Sequence, residues 1–254
     1  MMMEERRARI VEMLKSERTV KVNSLVEEFN VSIETIRRDL EFLEERDFLK
    51  RVYGGAVRKG AFSDEPAYDL REVKNLEAKR AIAAEAAALI SDGDTVLFDI
   101  GTTCLEVARL LSDRTGITII TNSFMIAKEL AGSRCRVFVL GGQLRGGELS
   151  LSGFLTSEAL EHFNADKAII GAGGITLDRG ITDYHPEEAA VRRLMIEHSK
   201  YSIVVADSSK FGVVAMNAVS TLKEIGILVT DSQIPKEIRQ GLRKTAVPTI
   251  TVDV

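Results

Sequence analysis

Apolar positions in the first part of the chain recur at helical spacing. Ile10, Val11 and Leu14 predict one helix, and a second short helix is predicted from about Asn23, a plausible N-cap, to Phe29. A tight turn then leads to a third helix. The apolar residues of this third helix fall on one face, and they are Ile33, Ile36, Leu40 and Leu43. This succession predicts a helix-turn-helix over about residues 20–39.

A cap and a hairpin complete this first region. Ser32 stands directly before the third helix, where a hydroxyl commonly accepts a hydrogen bond from a free backbone amide. Farther on, two short β-prone runs surround Gly54-Gly55, a step that tolerates positive backbone angles, so we expect a hairpin there. Together these features predict a winged helix-turn-helix domain over residues 3–58.

The rest of the chain has a different pattern. Residues 59–75 interrupt the apolar periodicity and are predicted to be a linker that runs into a helix, and the Ala-rich stretch from Glu77 to Ile90 is strongly helical. Strand and helix patterns then alternate to the end, and unbroken apolar runs such as residues 201–206 suit strands covered on both faces. We therefore expect the α/β class, with a larger, mostly parallel, Rossmann-like domain over residues 76–254.

The charge of the chain changes the picture only when it is counted by region. The formal net charge is -4, which by itself is unusual for a nucleic-acid binder. Residues 1–60, however, hold 13 Lys and Arg against 12 Asp and Glu, whereas the remainder holds 21 against 26. Five basic residues face only Asp47 between positions 46 and 60, namely Arg46, Lys50, Arg51, Arg58 and Lys59. Local patches rather than totals set the attraction to phosphate.

Several classes of protein are disfavoured by composition. Cys104 and Cys135 lack CxxC spacing, which favours free thiols in a reducing compartment. The three histidines are scattered without metal-ligand spacing, so we expect neither a metal nor a cofactor. No apolar stretch reaches the roughly 20 residues of a membrane span, and no signal peptide is recognisable. We expect a cytoplasmic protein without membrane attachment.

The outer face of the third helix carries groups suited to DNA. The planar fork of arginine favours bidentate contact with guanine or phosphate, and a threonine near the helix start can meet a phosphate or a thymine methyl group. The predicted DNA-binding residues of this helix and the hairpin are Ser32, Thr35, Arg37, Arg38, Lys50, Arg51 and Tyr53. The alternatives are that Arg37-Arg38 forms only a solvated face, or that the winged module contacts another protein.

Polar residues follow most predicted strands of the second domain. The segment 98–103 ends a strand and opens a helix, where free amides and the helix dipole favour an anion, although neither a Walker loop nor GxGxxG is present. Because such loops share one edge of a parallel sheet, we expect them to form one cleft. The predicted effector-binding residues are Asp99, Gly101, Thr102, Thr103, Thr121, Asn122, Gly141, Gly142, Arg145, Gly171, Asp183, Glu188 and Lys210.

A phosphorylated sugar fits the chemistry of this set. Arg145 and Lys210 supply positive charge for an anionic group, while Asp99, Asp183 and Glu188 can accept hydrogen bonds from sugar hydroxyls. Structural roles remain open for some of them. Asp99 could cap the following helix, Asp183 could orient a turn, and Lys210 could be an ordinary surface residue.

Two motifs resemble a known family. Ser32-Ile33-Glu34-Thr35-Ile36-Arg37-Arg38-Asp39-Leu40, followed by Arg51-Val52-Tyr53-Gly54-Gly55-Ala56, resembles the N-terminal signature of the DeoR family of bacterial transcriptional regulators, and the resemblance extends over nearly the whole chain. It implies a DNA-binding regulator, expected to repress a sugar-catabolic operon, whose operator affinity is controlled by a phosphorylated sugar. We expect a homo-oligomer, either a dimer or a tetramer, because one short helix reads too few bases alone.

The resemblance also implies a second domain related to ribose-5-phosphate isomerase. Gly101-Thr102-Thr103 and Asp207-Ser208-Ser209-Lys210 are similar to the phosphate and lysine loops of that enzyme. An isomerase with an appended DNA-binding module is therefore the alternative function. The isomerases carry two aspartates where this chain has the segment 171–176, although Glu188 could approximate the catalytic base. We therefore expect a regulator that is not an enzyme.

Overall fold

The chain divides into two units, Met1–Asp64 and Glu65–Val254. The structure is a computed structural model that describes residues 3–17, 19–46, 48–52, 54–58, 65–66 and 68–254. Within these residues, no helix is long and apolar enough to cross a membrane.

The first unit is a winged helix-turn-helix. Its elements are α1 (Met3–Glu17), β1 (Thr19–Lys21), α2 (Val22–Phe29), α3 (Ile33–Glu45), β2 (Leu49–Val52) and β3 (Gly55–Arg58). The three strands form an antiparallel sheet in the order β1-β3-β2. The helices pack through a small core that includes Ile10, Leu25, Ile36 and Leu40, all of them buried. The prediction of three helices and a hairpin is confirmed, but α2 begins at Val22, so Asn23 is not its N-cap.

Strand β1 explains one of the two glycines of the hairpin. Gly54 has a φ of +80°, as the turn requires. Gly55 serves another purpose, because a Cβ atom added to it would lie 2.1 Å from the carbonyl oxygen of Val20 in β1. The short strand β1 was not predicted, since three residues are too few for a periodic pattern.

The second unit is an α/β domain. It contains α4 (Tyr68–Val73), α5 (Leu76–Ala88), β4 (Thr95–Phe98), α6 (Thr102–Leu111), β5 (Thr118–Thr121), α7 (Phe124–Leu130), β6 (Arg136–Val139), β7 (Gln143–Arg145), β8 (Ser150–Ser152), α8 (Phe154–Glu161), β9 (Ala165–Ile170), β10 (Gly174–Thr176), β11 (Gly180–Asp183), α9 (Pro186–Glu197), β12 (Ser199–Val205), β13 (Asn217–Ser220), β14 (Ile227–Asp231), α10 (Lys236–Leu242) and β15 (Thr249–Val252). Seven of these strands form a parallel sheet in the order β15-β14-β12-β9-β4-β5-β6. The predicted fold class is confirmed.

Both faces of the parallel sheet are buried. Alternate residues of β4 point to opposite faces, so Val96 and Phe98 join a core with α5, α6 and α7. Leu97 joins the other core, which includes Leu160 of α8 and Val191 of α9. This double coverage explains why the strands read as nearly continuous apolar runs.

The order of the strands places a switch point between β4 and β9. The chain runs from β4 through β5 to β6 on one side, and it then returns to build β9, β12, β14 and β15 on the other. At such a reversal the two crossover connections leave in opposite directions, which opens a crevice at the carboxyl ends of the two central strands.

Two small antiparallel sheets cover this end of the domain. One is the hairpin of β7 and β8, and the other joins β10, β11 and β13. Neither was predicted, because strands of three or four residues within Gly-rich segments resemble loops in the sequence. They supply walls for the crevice that the parallel sheet alone does not have.

Candidate functional site

Helix α3 begins at a well-formed cap. The Ser32 hydroxyl accepts a hydrogen bond from the Thr35 backbone amide at 3.2 Å, and the hydroxyl oxygens of the two residues are 2.9 Å apart. Arg37 and Arg38 lie exposed on the outer face of this helix. Neither guanidinium has a hydrogen bond or an ion pair among the residues that the structure describes. Two cations in the second turn of α3 are therefore available to a partner.

In the wing, unlike on the outer face of α3, a basic side chain is already paired within the protein. Arg51 of β2 donates from Nε to Glu44 Oε2 at 2.8 Å, and its backbone amide donates to Glu44 Oε1 at 2.8 Å. This surface pair ties the wing to the end of α3, and exposed pairs of this kind contribute little to stability. The backbone of Lys50 lies in β2, but its side chain, like all of Tyr53, falls outside the described residues.

A buried charge cluster positions α3 against α1. The Asp39 carboxylate accepts hydrogen bonds from Arg6 Nε at 2.6 Å and from Arg7 Nε at 2.7 Å. The Arg7 guanidinium also lies 3.5 Å from the centre of the Phe42 ring. Asp39 is not among the residues predicted from the sequence, although its helical spacing from Ile36 places it on the buried face. Two of the arginines near the N-terminus are thereby used for folding.

A cleft opens at the carboxyl ends of the central strands of the second unit. Gly101, Thr102 and Thr103 line it from the start of α6, and Gly171 lines it from the loop after β9. Gly101 has a φ of +113°, which a residue with a side chain rarely adopts. The first amides of α6 have no partner within the helix, so this wall offers both amides and hydroxyls to an anion.

Lys210 completes the anion-binding wall. Asp207 Oδ1 accepts hydrogen bonds from the Ser209 backbone amide at 3.0 Å and from the Ser209 hydroxyl at 2.6 Å, which shapes the turn that carries the lysine. No hydrogen bond or ion pair joins Lys210 Nζ to any residue in the described part of the chain. Burial in the cleft, together with the nearby charge of Arg71, lowers the pKa of Lys210. An ammonium group without a partner in a sheltered cleft favours an anionic ligand.

The floor of the cleft contains a buried group of three charges. Arg192 of α9 donates from Nε to Asp99 Oδ2 at 2.5 Å, and its Nη1 donates to Asp183 Oδ2. Asp99 Oδ2 also accepts a hydrogen bond from the Gly171 backbone amide at 2.9 Å. Asp183 and Arg192 line the cleft, whereas Asp99 supports it from behind. Arg192 was not predicted, because nothing in a helical run of charges shows which one turns inward.

Glu148 is a second lining residue that sequence reasoning missed. Its Oε2 accepts a hydrogen bond from Arg71, while its Oε1 is buried without any hydrogen-bond partner among the described residues. Burial raises the pKa of Glu148 from 4.5 to about 7, against the opposing attraction of Arg71. The unpartnered oxygen can serve a hydroxyl of a ligand.

Several predicted residues do not line the cleft, and this corrects the expectation that all the loops converge. Thr121 donates to the Phe98 carbonyl at 2.9 Å, and Asn122 Nδ2 donates to the Leu151 carbonyl at 3.0 Å. Gly141 and Gly142 pack against the start of α8, where a Cβ on Gly142 would lie 2.1 Å from Thr156 Oγ1. These loops follow β5 and β6, which lie one and two strands away from the switch point.

Arg145 and Glu188 also lie behind the lining rather than in it. Arg145 forms a bidentate pair with Glu188, with distances of 2.8 Å from Nε to Oε1 and 2.9 Å from Nη2 to Oε2. Glu188 accepts a further hydrogen bond from the Ser150 hydroxyl. Their charges are therefore satisfied by each other, and they fix the β7–β8 hairpin beside α9.

Known proteins were compared with both units. The DeoR-like helix-turn-helix domain matches residues 6–60, and the DeoR C terminal sensor domain matches residues 74–232. The chain belongs to the DeoR family. It is 40% identical over 246 residues to the transcriptional repressor AccR of Agrobacterium fabrum, covering 95% of each chain. It is 33% identical to the glycerol-3-phosphate regulon repressor of Escherichia coli strain K12, covering 92% of each.

A solved isomerase structure was also found. Ribose 5-phosphate isomerase A from Methanocaldococcus jannaschii matches with a TM-score of 0.42 and 17% identity, covering 54% of this chain and 55% of that chain. The relatives of this DeoR-family chain are named as transcriptional repressors, and the chain is a DNA-binding transcriptional regulator.

The loop after β9 is tightly packed at two glycines. A Cβ on Gly173 would lie 2.9 Å from the Thr182 carbonyl oxygen, and a Cβ on Gly174 would lie 2.3 Å from that of Val213. Glu188, which the sequence offered as an approximate catalytic base, is held by Arg145. A side chain at either glycine would therefore require the backbone to move.

We expect Asp39→Ala to destabilise the DNA-binding unit of this regulator by about 3 kcal/mol, because it leaves Arg6 sheltered from water without its counter-ion. Amide hydrogen exchange in α1 and α3 measures the local opening free energy. Glu34→Ala, on the exposed face of α3, is the matched control. Equal exchange in the two variants would contradict the proposed role of Asp39.

We expect the second unit to lose stability as pH rises through the titration of Glu148. Its pKa is raised from 4.5 to about 7 in the folded protein, so the folded state binds the proton more tightly. The stabilisation is complete below pH 4.5 and is lost by about pH 7, with a total of about 3 kcal/mol.

Glu148→Gln removes this dependence, because the amide does not titrate. Urea unfolding at pH 5 and pH 8 measures the free energy of unfolding of both proteins. Relative to the wild type, the variant should be more stable at pH 8 than at pH 5. A constant difference between the two proteins would refute the assignment.

Proposed function

We propose that this DeoR-family regulator binds operator DNA through α3 and that a phosphorylated sugar in the cleft changes its operator affinity. The observation that carries the proposal is the anion-binding wall of the cleft, where the start of α6 faces the same space as Lys210, which has no ion pair among the described residues. The family assignment supports DNA binding, and the cleft supports the binding of a regulatory ligand.

The DNA contacts are assigned to the helix and the wing. Arg37 and Arg38 are exposed and carry no competing ion pair among the described residues, so they can reach base edges or phosphates without losing an internal partner. Ser32 and Thr35 stand at the N-terminus of α3, where a phosphate is favoured. We propose that Arg51 exchanges Glu44 for a phosphate, with Lys50 and Tyr53 beside it.

The ligand contacts are assigned to two parts of the cleft. We propose that the phosphate group lies against Gly101, Thr102, Thr103 and Lys210, where amides, hydroxyls and one cation meet. The sugar hydroxyls then meet Asp183 and the free oxygen of Glu148. Gly171 lines the cleft beside them. The other predicted residues act as supports for these walls, and they are Asp99, Thr121, Asn122, Gly141, Gly142, Arg145 and Glu188.

The class of ligand is supported by one relative as well as by the cleft. That relative is named for the glycerol-3-phosphate regulon, and glycerol 3-phosphate is a small phosphorylated polyol. A ligand of this class combines a compact dianion with neutral hydroxyls. The two parts of the cleft match these two chemistries.

Regulation requires a difference in ligand affinity between two states. Moving a population from 1:99 to 99:1 needs about 5.5 kcal/mol, which several bound ligands can share. We propose a dimer or a tetramer for this reason and because half-sites on DNA are read by paired modules. We propose that the protein represses a sugar-catabolic operon.

Arg38→Ala tests the DNA assignment. If Arg38 reads a base edge, operator binding should weaken by about 1 to 3 kcal/mol, while binding to random DNA changes little. If Arg38 contacts a phosphate, binding to the operator and binding to random DNA should both weaken. The slope of log affinity against log salt concentration should then fall in magnitude by about 1. Fluorescence anisotropy with labelled operator and random duplexes measures these changes. Arg179→Ala, an exposed arginine of the second unit, is the control, and behaviour identical to it would remove Arg38 from the interface.

Lys210→Ala tests the cleft. Operator binding without ligand should stay unchanged, and the response to glycerol 3-phosphate or ribose 5-phosphate should be lost, because the phosphate loses its cation. The matched control is Lys200→Ala, whose side chain is 80% exposed. Glycerol and ribose are the ligand controls. If no sugar phosphate changes the melting temperature or the operator affinity of the wild type, the proposed sensor function fails.

A further inference from the structure

One wall of the cleft comes from a segment that directly follows the DNA-binding unit in sequence. This segment consists of Glu65, Pro66 and α4, and we call it the strap. Glu65 and Arg71 of the strap line the cleft together with Glu148. The strap lies between the two family matches, which end at residue 60 and begin at residue 74. Neither the matched sensor domain nor the helix-turn-helix domain therefore includes it.

In the strap, charged side chains are sheltered and apolar side chains are exposed, which is the reverse of the usual distribution. The side chains of Arg71 and Glu65 are sheltered, with 13% and 15% of their surfaces exposed. Leu70 and Val73 are instead 66% and 71% exposed, and α4 has no buried residue. Apolar burial, the usual source of helix docking energy, is therefore limited in α4 to the half-buried Tyr68. Polar contacts supply most of the remaining anchoring.

These polar contacts converge on Arg71. Its Nη2 donates to Glu148 Oε2 and lies 3.4 Å from Glu65 Oε1, and its Nε donates to the Pro66 carbonyl at 2.9 Å. Lys79 of α5 donates to the Arg71 carbonyl. The guanidinium is thus held between two carboxylates at the rim of a cleft that otherwise offers cations to a ligand.

Glu65 extends the network across the cleft. Its Oε2 accepts a hydrogen bond from Arg145 Nη1 at 2.9 Å and lies 3.3 Å from His185 Nε2. Glu65, Glu148 and Glu188 therefore crowd around two arginines. Burial raises the pKa of Glu148 and of Glu188, and the charge of Glu65 adds to both shifts. A dianion that enters this space would compete with the carboxylates for Arg71.

We propose that Arg71 is a ligand-binding residue of the sensor and that an anionic ligand replaces Glu148 as its partner, so that the strap senses whether the cleft is occupied. The proposal rests on the proposed anion-binding function of the cleft. Bound phosphate would link Arg71 to Lys210 and the start of α6, and it would thereby add an anchor to a helix that has few. The segment that leads to the DNA-binding unit is then held more firmly when ligand is present.

Two substitutions with opposite expected effects on ligand affinity test, in the full-length protein, whether the ligand replaces Glu148 as the partner of Arg71. Arg71→Ala should weaken the binding of inorganic phosphate and of glycerol 3-phosphate about tenfold, because it removes one charged hydrogen-bond donor. Glu148→Gln should tighten binding at pH 8, because the competing carboxylate becomes a neutral amide. Isothermal titration calorimetry measures both affinities, and Arg71→Lys should retain part of the binding. The control is Lys74→Ala, which removes an exposed cation three residues away and should bind like the wild type.

Amide hydrogen exchange supplies an independent readout of the strap. Saturating glycerol 3-phosphate should slow exchange in residues 68–73 of the wild type and of Lys74→Ala about tenfold, but not in Arg71→Ala. This comparison does not depend on the DNA-binding unit.

The outcomes separate this proposal from the one on which it rests. If the wild type binds neither phosphate nor glycerol 3-phosphate, the proposed function fails. If the wild type binds and Lys210→Ala does not, but Arg71→Ala binds like Lys74→Ala, the cleft is an anion site and the strap proposal is overturned. Weaker binding by Glu148→Gln, or strap exchange that the ligand leaves unchanged, also overturns the strap proposal.

Discussion

The cleft depends on the ion pairs that Arg192 makes with Asp99 and Asp183. Removing three charges from water is costly, and the cost is offset only when every partner is in place. The arrangement ties α9 to the ends of β4 and β11 and, through the Gly171 amide, to the end of β9. Because the ends of β4 and β9 meet at the switch point of the sheet, the cluster fixes α9 and β11 around the cleft.

Much of the fold follows from patterns that the sequence displays locally. The cap at Ser32, the apolar stripe of α3 and the apolar runs of the parallel strands each depend on neighbours in the chain, so their interpretation is confirmed. The short strands β7, β8, β10, β11 and β13 are different. They are stabilised by pairing with distant segments, and they are rich in polar residues and glycine, without the apolar run that marks β4 or β9.

The candidate site shows the same division. Gly101, Thr102, Thr103 and Lys210 follow predicted strands directly, and all four line the cleft. Arg71, Glu148 and Arg192 reach it from helices or loops, and their partners lie far away in sequence: Arg71 and Glu148 are separated by 77 positions. Conversely, the loops after β5 and β6 were predicted to line the cleft, but the strand order places them away from it. No local sequence pattern encodes strand order. Topology therefore decided which of the candidate loops line the cleft.

The two glycines after β9 limit how this edge of the cleft can vary. A Cβ at Gly173 or Gly174 would meet the backbone carbonyl oxygen of Thr182 or of Val213. A substitution at either position therefore has to move backbone of β11 or of the segment before β13 as well. The local shape of the loop is thus coupled to the small antiparallel sheet beside it.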